Sequence, residues 1–325
     1  MKKGNVFFSI VVATRNRPKL LQRALLSLAK QTTNQLFEFE IILVDDGSSD
    51  ENLIQMLRFI ETLNATIVLK KLEQRKRGHG PSFARNEGIA ASSGLFIGFL
   101  DDDDEWISDS HLAQAYVALK EKENESCLLL SMQTAIMTNE KAAKNIIWNE
   151  DLVDKLSLPD GISEVTTTQL LQSNGFSHLN TLIASRASLV AIDGFDESLR
   201  YEEDRHLFMR LIDYSQCIFF NNQIVANHYI PDHLKNENAS TAITKMDKLI
   251  QQLNSQFKLS VICKNEIVLK KTKDQLCNTL KRCHDIQKGQ NNIRSAALYA
   301  SMAASIKFDI RWLLYAQYLK LKSRI

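Results

Sequence analysis

Four consecutive aspartates, Asp101-Asp102-Asp103-Asp104, end the apolar run Phe96-Ile97-Gly98-Phe99-Leu100 and are followed by Glu105 and Trp106. Two carboxylates ~4 Å apart repel by about 4 kcal/mol at an effective dielectric near 20. The chain can splay them into water, protonate some of them, or bring in a cation. Hard divalent cations such as Mg²⁺ or Mn²⁺ favour carboxylate oxygen, often shared with the phosphates of a substrate. An isolated acidic run is usually a solvated loop. This one closes a run of buried-strand character and precedes a tryptophan, which points to an inner site. A second acidic cluster, Glu202-Glu203-Asp204, precedes Leu207, Phe208, Leu211 and Ile212 at helical spacing. On its own it reads as the favourable first turn of a helix.

The elements that carry these acids follow from the apolar pattern. Phe7–Ala13 is a short apolar, β-branched run, the pattern of a strand buried on both faces. It ends in Thr14-Arg15-Asn16-Arg17-Pro18, where the proline suits the first turn of a helix. Phe39–Val44 gives a second strand, ending in Asp45-Asp46-Gly47-Ser48-Ser49-Asp50, with a helix to about Leu63. Ala65–Leu69 gives a third strand, followed by the basic turn Arg75-Lys76-Arg77-Gly78-His79-Gly80 and a helix from Pro81 to about Ala91. Strands alternating with helices predict βαβ units and a parallel sheet, whose ligands bind beyond the carboxyl ends of the strands. Thr14/Arg15, Asp45/Asp46, the Arg75–Gly80 turn and Asp101–Asp104 all fall on that one edge.

The second half is less regular. A helix is expected from His111 to about Lys122, a strand at Ser126–Met132, and another strand at Ser177–Ala184; the stretch from Thr134 to Gln172 gives no clear period. From Thr244 the chain turns lysine-rich and helical. Its last stretch, Ser295–Ile325, interleaves Phe308, Trp312, Leu314, Tyr315 and Tyr318 with Lys307, Arg311, Lys320 and Lys322. A basic amphipathic helix of this kind can lie on an anionic membrane surface or pack back on its own domain.

Bulk properties exclude several classes. With 44% hydrophobic and 24% charged residues in 325, the chain is of ordinary globular composition. A net charge of +2 gives no global field for nucleic acid, and no such partner is expected. Five cysteines, odd in number and without C-x-x-C spacing, argue against a disulfide framework or a structural zinc site. The first apolar run meets Arg15 and Arg17 too early for a secretory core, and no stretch reaches the roughly 18 apolar residues of a spanning helix. The cysteine usage fits a reducing compartment such as the cytoplasm, and the basic tail would allow at most a peripheral place at the inner face of the plasma membrane.

Five pieces in order, Ile10–Arg17, Val44-Asp45-Asp46-Gly47-Ser48, Ala84-Arg85-Asn86-Glu87-Gly88-Ile89, Phe99–Asp104, and Gly194-Phe195-Asp196-Glu197 with Glu203-Asp204, resemble the family 2 glycosyltransferases of the GT-A fold. The likeness covers about two thirds of the chain and leaves out the helical tail. It implies an α/β architecture: a Rossmann-like, mostly parallel sheet flanked by helices, with a C-terminal helical extension. The division it suggests is a domain at 1–243, with a nucleotide-binding half at 1–106 and an acceptor half at 107–243, and an extension at 244–325.

The resemblance also implies roles. Ala13, Thr14 and Arg15 would hold the nucleoside, and Asp46 the base, uracil in the first place. Arg75 and Arg85 would meet the diphosphate or base. Asp101 and Asp103 match the D-x-D motif, with Asp103 the foremost ligand of Mn²⁺ or Mg²⁺ and Asp101 beside it; Asp102 or Asp101 would meet the ribose, and Asp104 would support them. Asp204 would be the general base. His233 would reach the metal or diphosphate, with His228 the competing choice. The implied activity is inverting transfer of a sugar from a nucleotide diphosphate sugar to a glycan or lipid-linked acceptor, in the building of a surface polysaccharide. Two other readings stand beside it. A nucleotidyltransferase would need a Gly-rich phosphate loop with a lysine after the first strand, which Thr14–Pro18 does not supply. A catalytically inactive binding or scaffold protein on the same fold would be expected to lose its acids, and they are intact.

Overall fold

The computed structural model describes residues 6–137, 146–173, 175–230 and 243–322. Ten strands form one sheet: β1 (Val6–Thr14), β2 (Glu38–Asp45), β3 (Ile67–Lys71), β4 (Phe96–Phe99), β5 (Glu105–Trp106), β6 (Cys127–Met137), β7 (Ile146–Trp148), β8 (Ile162–Glu164), β9 (Leu182–Ser185) and β10 (Cys217–Ile230). The helices are α1 (Pro18–Ala29), α2 (Asp50–Ile60), α3 (Pro81–Ala91), α4 (His111–Leu119), α5 (Glu150–Leu156), α6 (Thr167–Leu170), α7 (Arg186–Ala191) and α8 (Glu203–Tyr214). Four more follow: α9 (Lys245–Ile262), α10 (Glu266–Gly289), α11 (Ile293–Ile306) and α12 (Ile310–Lys322).

The sheet runs β3-β2-β1-β4-β9-β6-β10-β5, with β7 on β6 and β8 on β10. β1 is parallel to β2 and β4, and β2 to β3, as the βαβ pattern predicts. The strand order reverses at β1, between β2 and β4. That reversal is the switch point where open α/β sheets leave a crevice beyond their carboxyl ends. β9 then enters antiparallel between β4 and β6. The short β5, just after the aspartates, pairs antiparallel with β10 and ties the acidic turn to the second half of the sheet.

The core occupies both faces of the sheet, one layer holding Val11, Ile42, Phe99, Leu207 and Phe220, the other Phe8, Ile10, Leu25, Ile41 and Trp106. α3 crosses β1 and β2 so closely that a Cβ on Gly88 would overlap Val11 and crowd Val44. That explains a glycine in mid-helix, where it otherwise weakens the element. β3 begins two residues later than its apolar pattern suggests; the first rung of its ladder is the bond that the Thr66 carbonyl accepts from Ile41 N (2.9 Å). At 177–184, only Leu182–Ser185 is strand; Leu179–Thr181 forms a single 3₁₀ turn.

The last four helices are not a free appendage. α9 contributes Leu259 to the main core, with Cys263 and Val268 beyond it. A smaller core of Leu249, Leu253, Leu276, Leu280 and Ala303 joins α9, α10 and α11. The final stretch, for which the sequence allows a helix or a helical hairpin, is the hairpin of α11 and α12. All five cysteines are buried and free. Among the described residues no helix is long and apolar enough to cross a membrane.

Candidate active site

A cleft of about 810 Å³ opens beyond the carboxyl ends of β1, β2 and β4. The residues after each strand meet there because parallel strands deliver their ends to one edge. Thr14 Oγ1 donates to Asp102 Oδ2 (2.7 Å), bridging the tails of β1 and β4 across the switch point. Arg17 Nη1 lies 3.3 Å from Asp102 and 3.1 Å from Asp103.

The four aspartates occupy four environments. Asp101 Oδ1 accepts from Arg85 Nη2 (2.6 Å), and Arg85 Nη1 reaches Glu203 Oε1 (3.1 Å). Burial opposes the charge on Asp101, but Arg85 and then His178 outweigh it and hold the carboxyl down at about 2. The same acids raise Arg85 against its own burial. Asp102 is raised, chiefly by burial, although Arg17 and the Thr14 bond oppose it. Asp103 is pushed up to about 7 by burial and by the charges of Asp102, Asp104 and Asp101. Asp104 is wholly buried and accepts three bonds: Asn180 Nδ2 (2.5 Å), Tyr229 N (2.7 Å) and His228 Nδ1 (2.8 Å). Burial lowers His228, but its bond to Asp104 and the surrounding acids more than reverse this.

Asp104 is thus the post that fixes β10 to the acidic turn. Trp106 assists by packing at 2% exposure and donating from Nε1 to the Asn180 carbonyl (2.7 Å), while Asn180 Oδ1 accepts from Asp101 N (3.0 Å). Removing one member of a buried ion pair and leaving its partners unmet is strongly destabilising. Asp104→Ala is expected to lower unfolding stability by about 3 kcal/mol or more, read as a lower urea midpoint at unchanged slope; an unmoved midpoint would contradict the anchoring role.

Asp204 enters from the first turn of α8. Its Oδ1 accepts from Arg205 N (2.7 Å), and burial followed by Glu202 lifts it to about 6. His178 lies between the two acid groups, with Nε2 3.7 Å from Asp101 Oδ2 and 3.9 Å from Asp204 Oδ2. Burial, then His228, lowers it to about 4. On the nucleoside side, Asp46 accepts from His79 N (2.7 Å) and Gly80 N (3.0 Å), and Arg15 Nη2 donates to the Arg75 carbonyl (2.9 Å). Gly78 has φ +66°, and a Cβ there would collide with Asp46 and Arg15, so the turn needs a glycine to close over this corner.

Ala13, Thr14, Arg15, Asp46, Arg85, Asp101, Asp102, Asp103 and Asp204 all line the cleft. Arg75 does not; the same turn offers Arg77 instead. His233 lies outside the described residues. Its competitor His228 is in the cleft, with its ring 4.5 Å from that of His178. His178 and Asn180 are the residues that motif reading undervalued; their signal was the polar spacing in Ser177-His178-Leu179-Asn180.

Carboxylate oxygens of Asp101, Asp103 and Asp104 lie within 4.8 Å of one another, and so do ligand atoms of Asp104, His178 and His228. Hard carboxylate oxygens held so close that one of them prefers its proton near neutrality suit a divalent cation such as Mn²⁺ or Mg²⁺.

Residues 9–165 match the model of the family described as Glycosyl transferase family 2. Among curated proteins, a poly(ribitol-phosphate) beta-N-acetylglucosaminyltransferase, TarS of Staphylococcus aureus, is 30% identical over 174 residues, 51% of this chain and 28% of TarS. The Escherichia coli UDP-Glc:alpha-D-GlcNAc-diphosphoundecaprenol beta-1,3-glucosyltransferase WfgD is 25% identical over 68% of this chain and 76% of its own length. The chain thus spans little more than a quarter of TarS. Among solved structures, S. aureus TarS 1-349 with UDP-GlcNAc superposes with a TM-score of 0.67 at 20% identity, covering 98% of this chain and 89% of that one. A Pyrobaculum calidifontis mannosyltransferase with GDP-Man and Mn²⁺ gives 0.59 at 16% identity, over 98% and 88%. These likenesses show the GT-A fold, and the alignment with TarS extends to the C-terminal helices.

Proposed function

We propose, from the premise that residues 9–165 form a domain of glycosyl transferase family 2, that the protein transfers a sugar, with inversion, from a UDP-sugar to a hydroxyl of a glycan or lipid-linked acceptor. The observation that carries this reading is one cleft in which Asp46, Asp101, Asp102, Asp103 and Asp204 converge, although they arrive from three distant parts of the sequence.

Ala13, Thr14, Arg15 and Asp46 hold the nucleoside, and Asp102 meets the ribose. Arg85, charged and buried beneath the acids, orients Asp101 and faces the diphosphate. Asp103 and Asp101, supported by Asp104 and His228, would hold Mn²⁺ or Mg²⁺; His233 is a further candidate ligand. When bound, that cation stabilises charge on the departing diphosphate. Asp204 takes the proton of the acceptor hydroxyl as its oxygen bonds to the anomeric carbon. The bond from that carbon to the β-phosphate oxygen breaks, and its electron pair leaves with the nucleoside diphosphate. A single displacement of this kind inverts the anomeric centre. His178 is a poorer base than Asp204, since a group lowered to about 4 holds a proton less well than one raised to about 6.

The acceptor class draws support from relatives whose names carry polyol-phosphate and undecaprenol-linked substrates. A place at the inner face of the plasma membrane is supported by α12, which exposes Ile310, Leu314, Tyr318 and Leu321 beside Arg311, Lys320 and Lys322. The functional reading is tested by incubating the full chain with a panel of nucleotide sugars and Mn²⁺. UDP release from a UDP-sugar is expected to exceed release of other nucleotides. No release above the uncatalysed rate from any donor would overturn it.

A further inference from the structure

A second pocket, of about 580 Å³, lies between the start of α8, α10 and the turn from α11 to α12. It is built largely from the helical extension, outside the segment that matches the family model. Its charged lining is Arg205, Lys271, Lys281 and Lys307 against Asp274 and Asp309. The two acids are already engaged. Asp309 accepts from Arg311 N (3.0 Å) and Trp312 N (3.3 Å) at the start of α12, and Asp274 pairs with Lys307 (2.9 Å). Lys271 Nζ donates to the carbonyls of Leu171 (3.1 Å) and Ser173 (2.9 Å) and is lowered by burial. Lys281 Nζ lies 4.8 Å over the Trp312 ring. Two lysines are thus directed at carbonyl and ring rather than at a carboxylate, an arrangement that leaves the pocket positive.

Arg205 connects this pocket to the cleft, because it lines both. It follows Asp204 directly in the chain, and its guanidinium lies 4.4 Å over Phe176, itself a cleft residue. Its buried Nε makes no hydrogen bond and sits 3.4 Å from Glu202. Because Arg205 follows Asp204 and borders both spaces, an acceptor whose hydroxyl meets Asp204 can place the group next to its accepting sugar at the basic pocket. A neutral sugar gains hydrogen bonds here but offers no charge to a lining of four cations against two acids. A phosphodiester or diphosphate gains charge-assisted bonds that are about twice as strong as neutral ones.

We propose that the Arg205–Lys271–Lys281–Lys307 pocket binds a phosphate group of the acceptor, so that the helical extension selects acceptors carrying phosphate next to the accepting sugar. This rests on the transferase reading above. Two sources share the chemistry, a lipid diphosphate and a polyol-phosphate chain.

The test measures binding to the full chain preloaded with UDP and Mn²⁺, so that the donor site is filled. The probes are octyl diphosphate, a ribitol-phosphate oligomer, and octyl glucoside as the neutral control. One phosphate probe is expected to bind about 10-fold or more tighter than the control, the size of one charge-assisted bond; which one it is identifies the source. Lys281→Gln/Lys307→Gln, at partly exposed positions, should weaken that probe by about 10-fold and leave the thermal midpoint near wild type. Equal binding of all three probes, or an unchanged affinity in the folded double variant, would overturn the proposal. UDP-sugar hydrolysis by the unaltered chain, measured alongside, reports on the transferase reading separately.

Discussion

Asp103→Ala is expected to reduce sugar transfer by about 10³-fold at saturating Mn²⁺ while leaving the metal-free fold no less stable. The two halves of that result come from one geometry. Asp103 is wedged among three other carboxylates, and the crowding, with burial, holds it protonated up to about 7. Its charge is therefore a burden on the metal-free protein. A carboxyl that binds its proton more tightly when folded than when unfolded contributes stability at acid pH, and that contribution is lost as pH rises from about 4 through about 7. Removing it relieves repulsion most above neutrality. Arg17 keeps Asp102 at 3.3 Å, and the bond from Arg23 goes to the Asp103 backbone carbonyl, which the alanine retains. The measurements are kcat/KM against Mn²⁺ concentration, and thermal midpoints with and without the ion. A variant whose midpoint still rises with Mn²⁺ as the parent's does would remove Asp103 from the metal set.

The contrast between Asp103 and Asp104 shows where sequence reading stopped. Four identical residues in a row carry no local mark that separates them. What separates them is burial and partners brought in from elsewhere: Asn180, His228 and Tyr229, from 76 to 125 positions away, for Asp104, and Arg85, 16 positions away and itself paired with Glu203, for Asp101. The sheet edge itself was readable, because both-face burial of β1, β2 and β4 writes continuous apolar runs and their polar ends stand out. β9 and β10, mixed in direction and partly polar, leave a weaker trace. Spacing leaves His228 and His233 both open; β10 running to Ile230 beside β6 brings His228 to the cleft, while His233 lies outside the described residues. Arg75 and Arg77 stand two positions apart in one turn; Arg77 lines the cleft, whereas Arg75 contributes its carbonyl to Arg15. The extension was legible as helix, but its sharing of the main core through Leu259 and Val268 was not.

Asp204→Asn is expected to lower transfer by about 10²–10⁴-fold with the fold preserved. Asparagine is nearly isosteric, and its side-chain oxygen can still accept from Arg205 N, now at 2.7 Å from Asp204 Oδ1. A loss of stability would not then explain the loss of rate. The pH profile separates a proton acceptor from a merely structural acid. A base works only when deprotonated, so wild-type kcat/KM should rise with pH through about 6 and then level, following the raised Asp204. His178, lowered to about 4, titrates below that range, and His228, raised against its burial by the bond to Asp104, titrates above it; Asp103, pushed up to about 7, is told apart by varying Mn²⁺, which moves the limb of a metal ligand and not that of a base. The amide variant should keep its small residual rate without that limb. If the limb at about 6 persists in Asp204→Asn, the titrating base is another group, and the raised acid at the head of α8 serves only to hold Arg205 and His178 in place.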